Sequence, residues 1–233
     1  MAATKKASTK RRTLSDKVKR ARMAEIVSRL EQIYPDATCA LEYGGEAWRL
    51  LVMARLSAQC TDARVNIVSR ELFARFPTVD ALADAPIEEI EEIVRPCGLF
   101  RTKAASIREE CRMLRDEFDY RVPDTMDELL RMPGVGRKIA NLMLGDIYGK
   151  PAIVADTHCI RICGRFGMYD TSLKDPTRVE KIMRELVEPQ KQSDFCHRIV
   201  QFGRDTCSAR APKCHACPLR DVCEMGMEIV SLC

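Results

Sequence analysis

The segment "TMDELLRMPGVGRKIANLMLGDIYGKP", residues 125–151, indicates two helices joined by a very short turn. Its centre is the run Pro133-Gly134-Val135-Gly136, and glycines there permit the positive φ angles of a tight turn. The first N–H groups of the second helix have no partner within that helix and carry positive potential. A plain turn between helices would not need two glycines flanking an apolar residue. The segment therefore predicts a helix-hairpin-helix whose backbone can hold a phosphate through Gly134, Val135 and Gly136.

The rest of the chain is also predicted to be helical. Apolar residues recur at helical spacing, as Met23, Ile26, Leu30 and Ile33 do, and proline and glycine breakers separate the segments. No segment alternates between apolar and polar residues with period two over the length of a strand. The sequence predicts an all-α protein of about ten helices.

Charge is distributed unevenly along the 233 residues. Residues 1–22 contain nine Lys or Arg and one Asp, which gives +8, whereas the remaining 29 basic and 33 acidic residues give −4, for a total of +4. A basic segment ahead of a nearly neutral body indicates attraction to a polyanion. The alternatives are a disordered tail that aids solubility and a transit peptide, although its few apolar residues make a poor amphipathic helix.

Hydropathy and cysteine content limit the cellular compartments in which the protein is expected. No apolar run approaches the ~20 residues of a membrane span, and the N-terminus lacks the apolar stretch of a signal peptide. We therefore expect no membrane partner and a compartment in which thiols stay reduced. Twelve cysteines in such a compartment indicate metal binding or catalysis sooner than disulfides.

Four of those cysteines lie close together near the C-terminus. In "TCSARAPKCHACPLRDVC" they follow the pattern C-x6-C-x2-C-x5-C, whereas structural zinc sites usually pair two C-x2–4-C units over a longer span. Four thiolates in one compact loop suit a four-iron four-sulfur cluster, which spreads its ligands over four iron corners. Zinc remains the alternative. The candidate ligands are Cys207, Cys214, Cys217 and Cys223, and the basic residues Arg210 and Lys213 between them indicate phosphate contact.

Two further side chains are candidates for chemistry. Lys138 falls in the first turn of the helix after the hairpin, where the helix dipole and partial burial would favour a neutral, nucleophilic amine. Asp156 follows a short apolar run and opens another helix, so capping that helix is its ordinary role. Its functional alternative is a carboxylate that stabilises positive charge or assists proton transfer opposite Lys138.

From about residue 23 to residue 224 the sequence resembles the endonuclease III family, DNA glycosylases of the helix-hairpin-helix superfamily that carry a four-iron four-sulfur cluster. Besides the four-cysteine loop, the resemblance is carried by "LSAQCTD" (56–62), "GLFRTKA" (98–104), and "MPGVGRKIA" (132–140) with "ADTH" (155–158). It implies that Lys138 is the Schiff-base nucleophile and Asp156 its carboxylate partner. It also implies that Gln59 fills the hole left by a flipped nucleotide and that Leu99 wedges into the base stack.

The resemblance also implies a domain layout. Residues 1–22 would be a basic, disordered tail. Residues 40–150 would form a six-helix barrel domain containing the hairpin, and residues 23–39 plus 151–233 would form the iron–sulfur cluster domain. A DNA-binding cleft would lie between these two domains.

The activity implied is that of a bifunctional DNA glycosylase and AP lyase in base excision repair, which acts as a monomer on double-stranded DNA containing oxidised or ring-saturated pyrimidines or abasic sites. It would be cytoplasmic and nucleoid-associated in a bacterium, and nuclear or organellar in a eukaryote. An adenine-mismatch glycosylase or a monofunctional glycosylase of the superfamily would lack the lysine at position 138. A DNA-binding protein without catalysis would be expected only if Lys138 or Asp156 were missing.

Overall fold

The computed structural model describes residues 14–230, and within them the chain is helical with no strand. The backbone forms twelve α-helices, with single 3₁₀ turns at Arg95–Cys97, Pro189–Lys191 and Cys214–Ala216. The helices are α1 (Asp16–Ile33), α2 (Ala47–Leu56), α3 (Asp62–Arg75), α4 (Val79–Ala83), α5 (Ile87–Val94), α6 (Phe100–Glu117), α7 (Met126–Arg131), α8 (Arg137–Asp146), α9 (Thr157–Arg165), α10 (Pro176–Leu186), α11 (Gln192–Asp205) and α12 (Glu224–Val230).

Side-chain caps fix where several of these helices begin. The hydroxyls of Thr61, Thr78 and Thr125 accept from the N–H three residues ahead, as the carboxylates of Asp156 and Asp175 also do. Each such cap satisfies a donor that the helix itself leaves open and typically contributes ~1 kcal/mol. The caps therefore separate short helices that apolar periodicity alone would run together.

The buried apolar residues form two separate cores. The first extends from Leu41 to Ala152 and packs helices α2 to α8. The second joins residues 23–34, most of them in α1, to residues 153–223, so that α1 packs on α10 and α11 in the C-terminal part of the chain. Between residues 40 and 150 there are seven α-helices, one more than the six expected, and the shortest of them is the five-residue α4.

Three polar contacts join the two cores. In the first, Asp146 Oδ1 at the end of α8 accepts from Ser193 Oγ and His197 Nε2 of α11, both at 2.9 Å. The second is an ion pair of Arg204 with Asp62, 2.5 Å long. The third ties the start of α8 to Glu180 of α10. Both α8 and α9 pack against α11, so α11 sets the relation between the helices that carry Lys138 and Asp156.

The N-terminal expectation is wrong in part. Helix α1 begins at Asp16, so residues 16–22 are helical rather than part of a disordered tail, because four buried residues of α1, beginning at Met23, anchor the helix in the second core. Residues 1–13 lie outside the described residues. No helix between residues 14 and 230 is long and apolar enough to cross a membrane.

Candidate active site and DNA-binding surface

The predicted hairpin is present between α7 and α8. Helix α7 opens with a side-chain cap in which Thr125 Oγ1 accepts from the N–H of Glu128 and donates to its carboxylate at 2.7 Å. The turn closes with a hydrogen bond from the N–H of Val135 to the carbonyl of Met132, 3.1 Å. At the start of α8 stands Gly136, which has no side chain to cap the helix. The first N–H groups of α8 therefore stay available to an anion.

The two glycines of the hairpin have different roles. Gly134 has φ +78°, and a Cβ there would lie 2.4 Å from Arg55 Nε. Gly136 has φ −101°, and a Cβ there would meet no atom within 4 Å. Gly134 is therefore required by the turn, whereas Gly136 keeps the outer surface of the hairpin open.

Val135 departs from the expected phosphate contact. Its side chain is buried in the first core, and its N–H is already bonded to Met132. Val135 thus anchors the hairpin to the core, and the N–H groups open to a ligand are those that follow it.

Lys138 and its neighbour Arg137 differ in how they are held. The guanidinium of Arg137 makes a two-point contact with the buried carboxylate of Glu180, at 2.9 and 2.6 Å, and this contact raises the pKa of Arg137. The side chain of Lys138 is exposed, so the partial burial expected from the sequence is wrong. Within residues 14–230 Lys138 forms no ion pair, so its amine is free to meet a ligand at the mouth of the hairpin.

Asp156 performs its ordinary role and keeps capacity for another. Its Oδ1 accepts from the N–H of Cys159 at 2.7 Å and so caps α9. The side chain is half-buried, and within the described residues no hydrogen bond or ion pair joins it to Lys138. Because an ionised carboxylate has about four acceptor positions, the cap leaves the second oxygen available to a bound substrate.

Gln59 and Leu99 share an unusual conformation. They follow α2 and the 3₁₀ turn at Arg95–Cys97, and both adopt the left-handed region, with φ of 55° and 48°. Both side chains are exposed, and Leu99 keeps 58% of its surface. Non-glycine residues rarely adopt this conformation, and where they do it is often at functional sites.

The four cysteines of the C-terminal loop face one cavity. Cys207, Cys214, Cys217 and Cys223 all line one small cavity beside Phe166 and Phe202. Burial, together with the neighbouring thiols of Cys207 and Cys217, raises the pKa of Cys223 to about 11. Four thiolates that line one cavity repel one another unless cations lie between them, so the residues fit a group that supplies iron ions and spreads its ligands over several corners.

The basic residues of this loop are oriented outward. Arg210 and Lys213 are exposed, and neither forms an ion pair within residues 14–230. The nearby acidic residue, Asp221, is bound by Arg29 of α1 at 2.7 and 3.0 Å, which also lowers the pKa of Asp221. The loop therefore presents uncompensated positive charge, as its spacing predicted.

A network of hydrogen bonds that the sequence analysis did not predict connects this loop to α9. Arg165 donates to Cys207 Sγ at 3.2 Å and to the carbonyl of Ser208 at 2.7 Å. Arg161 donates to the carbonyl of Cys207 at 3.1 Å and contacts His158 Nδ1 at 3.2 Å. Since burial lowers the pKa of His158, its neutral ring can accept that bond. The only sequence signal for this network was the spacing of the three residues on α9, with Arg161 three residues after His158 and Arg165 four residues after Arg161.

Comparison with known protein families identifies both parts of the site. Residues 52–189, which contain the hairpin, Lys138 and Asp156, match the model described as "HhH-GPD superfamily base excision DNA repair protein". Residues 207–223 match the "Iron-sulfur binding domain of endonuclease III". The cofactor of this loop is therefore a 4Fe–4S cluster, and the zinc alternative is set aside.

Whole-chain comparisons agree with these matches. The chain is 43% identical to the endonuclease III of Synechocystis over 88% of this chain and 93% of that protein, and 34% identical to that of Escherichia coli K12 over 88% and 96%. Among solved structures it is similar to a non-covalent endonuclease III–DNA complex and to a trapped covalent endonuclease III–DNA intermediate. Each has a TM-score of 0.85 and 36% identity, and covers 94% of this chain and 100% of the other. The chain belongs to the endonuclease III family, the helix-hairpin-helix DNA glycosylases and AP lyases of base excision repair.

Proposed function

We propose that this enzyme removes oxidised or ring-saturated pyrimidines from double-stranded DNA and then cleaves the strand at the abasic site, acting as a monomer. Lys138 is the nucleophile and Asp156 its carboxylate partner. The observation that carries the proposal is the free amine of Lys138 at the open N-terminus of α8, next to an arginine that is fully engaged by Glu180. A single chain supplies both side chains, which supports action as a monomer.

Phosphate contacts hold the duplex without reading its sequence. The open N–H groups at the start of α8 bind one phosphate, with Gly134 and Gly136 giving the backbone close access. The exposed side chains of Arg210 and Lys213 bind others from the cluster loop. These contacts fix the position of the duplex so that one nucleotide can be rotated out toward Lys138.

Gln59 and Leu99 occupy the space that the rotated nucleotide leaves. Both side chains are exposed on loops whose backbone is held in the left-handed region, which aims them away from their own helices. An apolar wedge between bases and a polar side chain in the hole offset part of the cost of unstacking. The two residues thus keep the damaged nucleotide outside the helix for the time that the chemistry needs.

The chemistry proceeds through Lys138. Once the amine has given up a proton, it attacks C1′ of the deoxyribose, the glycosidic bond breaks, and the base leaves with the bonding electrons and takes up a proton. The nitrogen then loses a proton, the C1′–O4′ bond of the sugar ring breaks, and O4′ takes up a proton, which gives an imine. The imine makes the C2′ hydrogen acidic, and removal of that proton expels the 3′ phosphate, which cuts the strand. Hydrolysis of the imine then frees Lys138 for another turnover.

Asp156 supports the first step. As the sugar develops positive charge, the half-buried carboxylate offers a fixed negative charge that needs no reorganisation. The hydrogen bond from Cys159 N–H, 2.7 Å, holds the carboxylate in place at the start of α9. The same group can accept the proton that the amine loses.

Cys207, Cys214, Cys217 and Cys223 hold the 4Fe–4S cluster, which when bound cross-links a loop that has few apolar contacts of its own. The side chain of Arg165 fixes the start of this loop through Cys207 and Ser208. The loop in turn keeps Arg210 and Lys213 in position for the DNA backbone. The role of these ligands is therefore structural.

The test combines lesion duplexes with trapping of the imine by borohydride. Wild-type protein should release oxidised and ring-saturated pyrimidines and become covalently trapped on an abasic duplex. Lys138→Gln should lose trapping and strand cleavage while keeping affinity for damaged DNA. Lys181→Gln, which removes an exposed lysine of α10, controls for the loss of one charge.

Two outcomes would contradict the proposal. Trapping by Lys138→Gln would mean that another amine is the nucleophile. Preferential release of an oxidised purine or of a mismatched adenine over damaged pyrimidines would refute the substrate class and leave the assignment of the nucleophile intact.

A further inference from the structure

Lys103 of α6 is the largest fully buried side chain in the described part of the chain, with no exposed surface. Its ammonium group donates to the carbonyl of Leu56 and to the carbonyl of Cys97, both at 2.8 Å. Burial lowers the pKa of Lys103, and within residues 14–230 no carboxylate pairs with it. A buried ammonium group held by two backbone carbonyls alone needs a reason beyond packing, because an apolar side chain of similar length would avoid the desolvation.

The two carbonyls belong to the ends of two different elements. Leu56 is the last residue of α2, and Gln59 stands three residues later. Cys97 is the last residue of the 3₁₀ turn, and Leu99 stands two residues later. Lys103 therefore joins the points from which the two DNA-inserting loops depart.

Each loop also has backbone hydrogen bonds of its own, from Cys60 N–H to the Ser57 carbonyl and from Gly98 N–H to the Arg95 carbonyl, both at 3.1 Å, but these do not join one loop to the other. Gln59 and Leu99 both have positive φ, a strained state for residues with a Cβ, which persists only when the surroundings fix it. Their exposed side chains make no core contacts that could do so. Burial and, after it, the neighbouring thiol of Cys60 raise the pKa of Cys97, so the free thiols at the two loop ends also lie near each other.

We propose that Lys103 is a positioning residue that fixes the spacing and orientation of Gln59 and Leu99, so that the two enter the duplex together. The inference rests on the roles given to Gln59 and Leu99 in the proposed function. Lys103 touches neither DNA nor the reacting atoms. Its effect is confined to substrates that must be unstacked, because Lys138 lies on a different helix and needs no help from Lys103 once the nucleotide is already free.

The experiment compares two abasic substrates under single-turnover conditions. In one the abasic site is paired within a duplex; in the other it lies in an unpaired bubble that needs no wedge. Lys103→Met should lower cleavage of the duplex by about 10²-fold, the loss expected when groups shift by about 1 Å, and leave cleavage of the bubble nearly unchanged. A fluorescent 2-aminopurine opposite the abasic site should brighten on binding wild-type protein, because insertion unstacks it, and brighten less with the variant.

Control variants separate positioning from loss of fold. Arg101→Met changes an exposed cation of the same helix and should leave both rates unchanged. Lys103→Arg keeps donors for both carbonyls and should recover duplex cleavage. Lys103→Gln, whose amide can reach only one carbonyl, should give an intermediate duplex rate and replaces Lys103→Met if the latter does not fold.

Gln59→Ala and Leu99→Ala distinguish this proposal from the function on which it rests. If they lower the duplex-to-bubble ratio and Lys103→Met lowers it too, the proposal is supported. If Gln59→Ala and Leu99→Ala lower this ratio but Lys103→Met leaves it unchanged, because it slows neither substrate or slows both equally, Lys103 is not a positioning residue. The proposed function stands in that case. If they leave the ratio unchanged, the inserting roles are wrong, and the inference falls with them whatever Lys103→Met does.

Discussion

At the scale of single residues, the site depends on which charges are engaged and which are free. Arg137 and Lys138 are adjacent in the sequence, yet Arg137 is held by Glu180 while the amine of Lys138 is exposed. The engaged cation fixes the start of α8 against the second core. The free one can therefore act as a nucleophile from a helix end whose position is already set.

Asp156→Asn should slow base release by roughly 10²–10³, the usual loss when one electrostatic stabiliser is removed. Fold should be preserved, because asparagine caps a helix as well as aspartate does and can keep the bond from Cys159. Asp175→Asn is the matched control, since Asp175 caps α10 in the same way at 2.9 Å. Single-turnover rates for both variants, with melting temperatures, check the prediction, and equal rates would refute a catalytic role for Asp156.

Glu110→Gln should change how stability depends on pH. Glu110 is fully buried, neither carboxylate oxygen has a hydrogen-bond partner among the described residues, and burial raises its pKa well above the usual range. The unfolded carboxyl is ionised above pH ~4.3, so folding binds a proton and stability falls as pH rises toward the folded pKa. The variant should therefore gain stability relative to wild type as the pH rises from about 5.5 to 7, by at most about 1.4 kcal/mol per pH unit.

Denaturant unfolding at the two pH values measures this gain. Glu109 is an exposed neighbour of Glu110 on α6. The stability of Glu109→Gln should change with pH in parallel with that of wild type, because surface ion pairs contribute little. Parallel curves for Glu110→Gln as well would show that the carboxyl is ionised in the folded protein.

At the scale of elements, the two glycines of the hairpin between α7 and α8 have different roles. Gly134 is needed to form the turn, and Gly136 is needed to let DNA approach. Gly134→Ala places a Cβ 2.4 Å from Arg55 Nε at a φ of +78° and should cost ~1–3 kcal/mol in stability together with affinity for DNA. Gly136→Ala has free space for its Cβ, so stability should be unchanged and only DNA affinity should fall. Melting temperatures and filter binding test the pair, and a stable Gly134→Ala with normal affinity would contradict it.

How far the sequence predicted these elements depends on whether a feature is local. The turn at Gly134, the spacing of the four cysteines and the cap at Asp156 are short-range patterns, so they could be predicted from the sequence. The burial of Val135 and the joining of two loop ends by Lys103 depend on which elements pack together. Lys103 did leave a trace, because it lies on the same face of α6 as the buried Ile107 and Leu114, at helical spacing.

At the scale of the whole molecule, the chain crosses between two cores, and α11 contacts both of them. The contacts of Asp146 with Ser193 and His197 and of Arg204 with Asp62 bind α11 to the first core. The same helix packs against α1 and α9 in the second. Because α8 and α9 both rest on α11, the spacing between Lys138 and Asp156 is a property of the assembled molecule, and no single segment of sequence could reveal it.

A deletion that tests the basic N-terminal segment must end before α1 begins. Deleting residues 1–22 would remove the first turns of a helix that begins at Asp16, so the deletion should stop at residue 13. Residues 1–13 carry five Lys or Arg and no acidic residue. If they contact DNA, their loss should flatten the slope of log K against log salt by at most about 4.5, at ~0.9 per phosphate contact. Full-length protein with these five residues changed to Gln should show the same flattening, whereas an unchanged slope in both would show that the segment does not touch DNA.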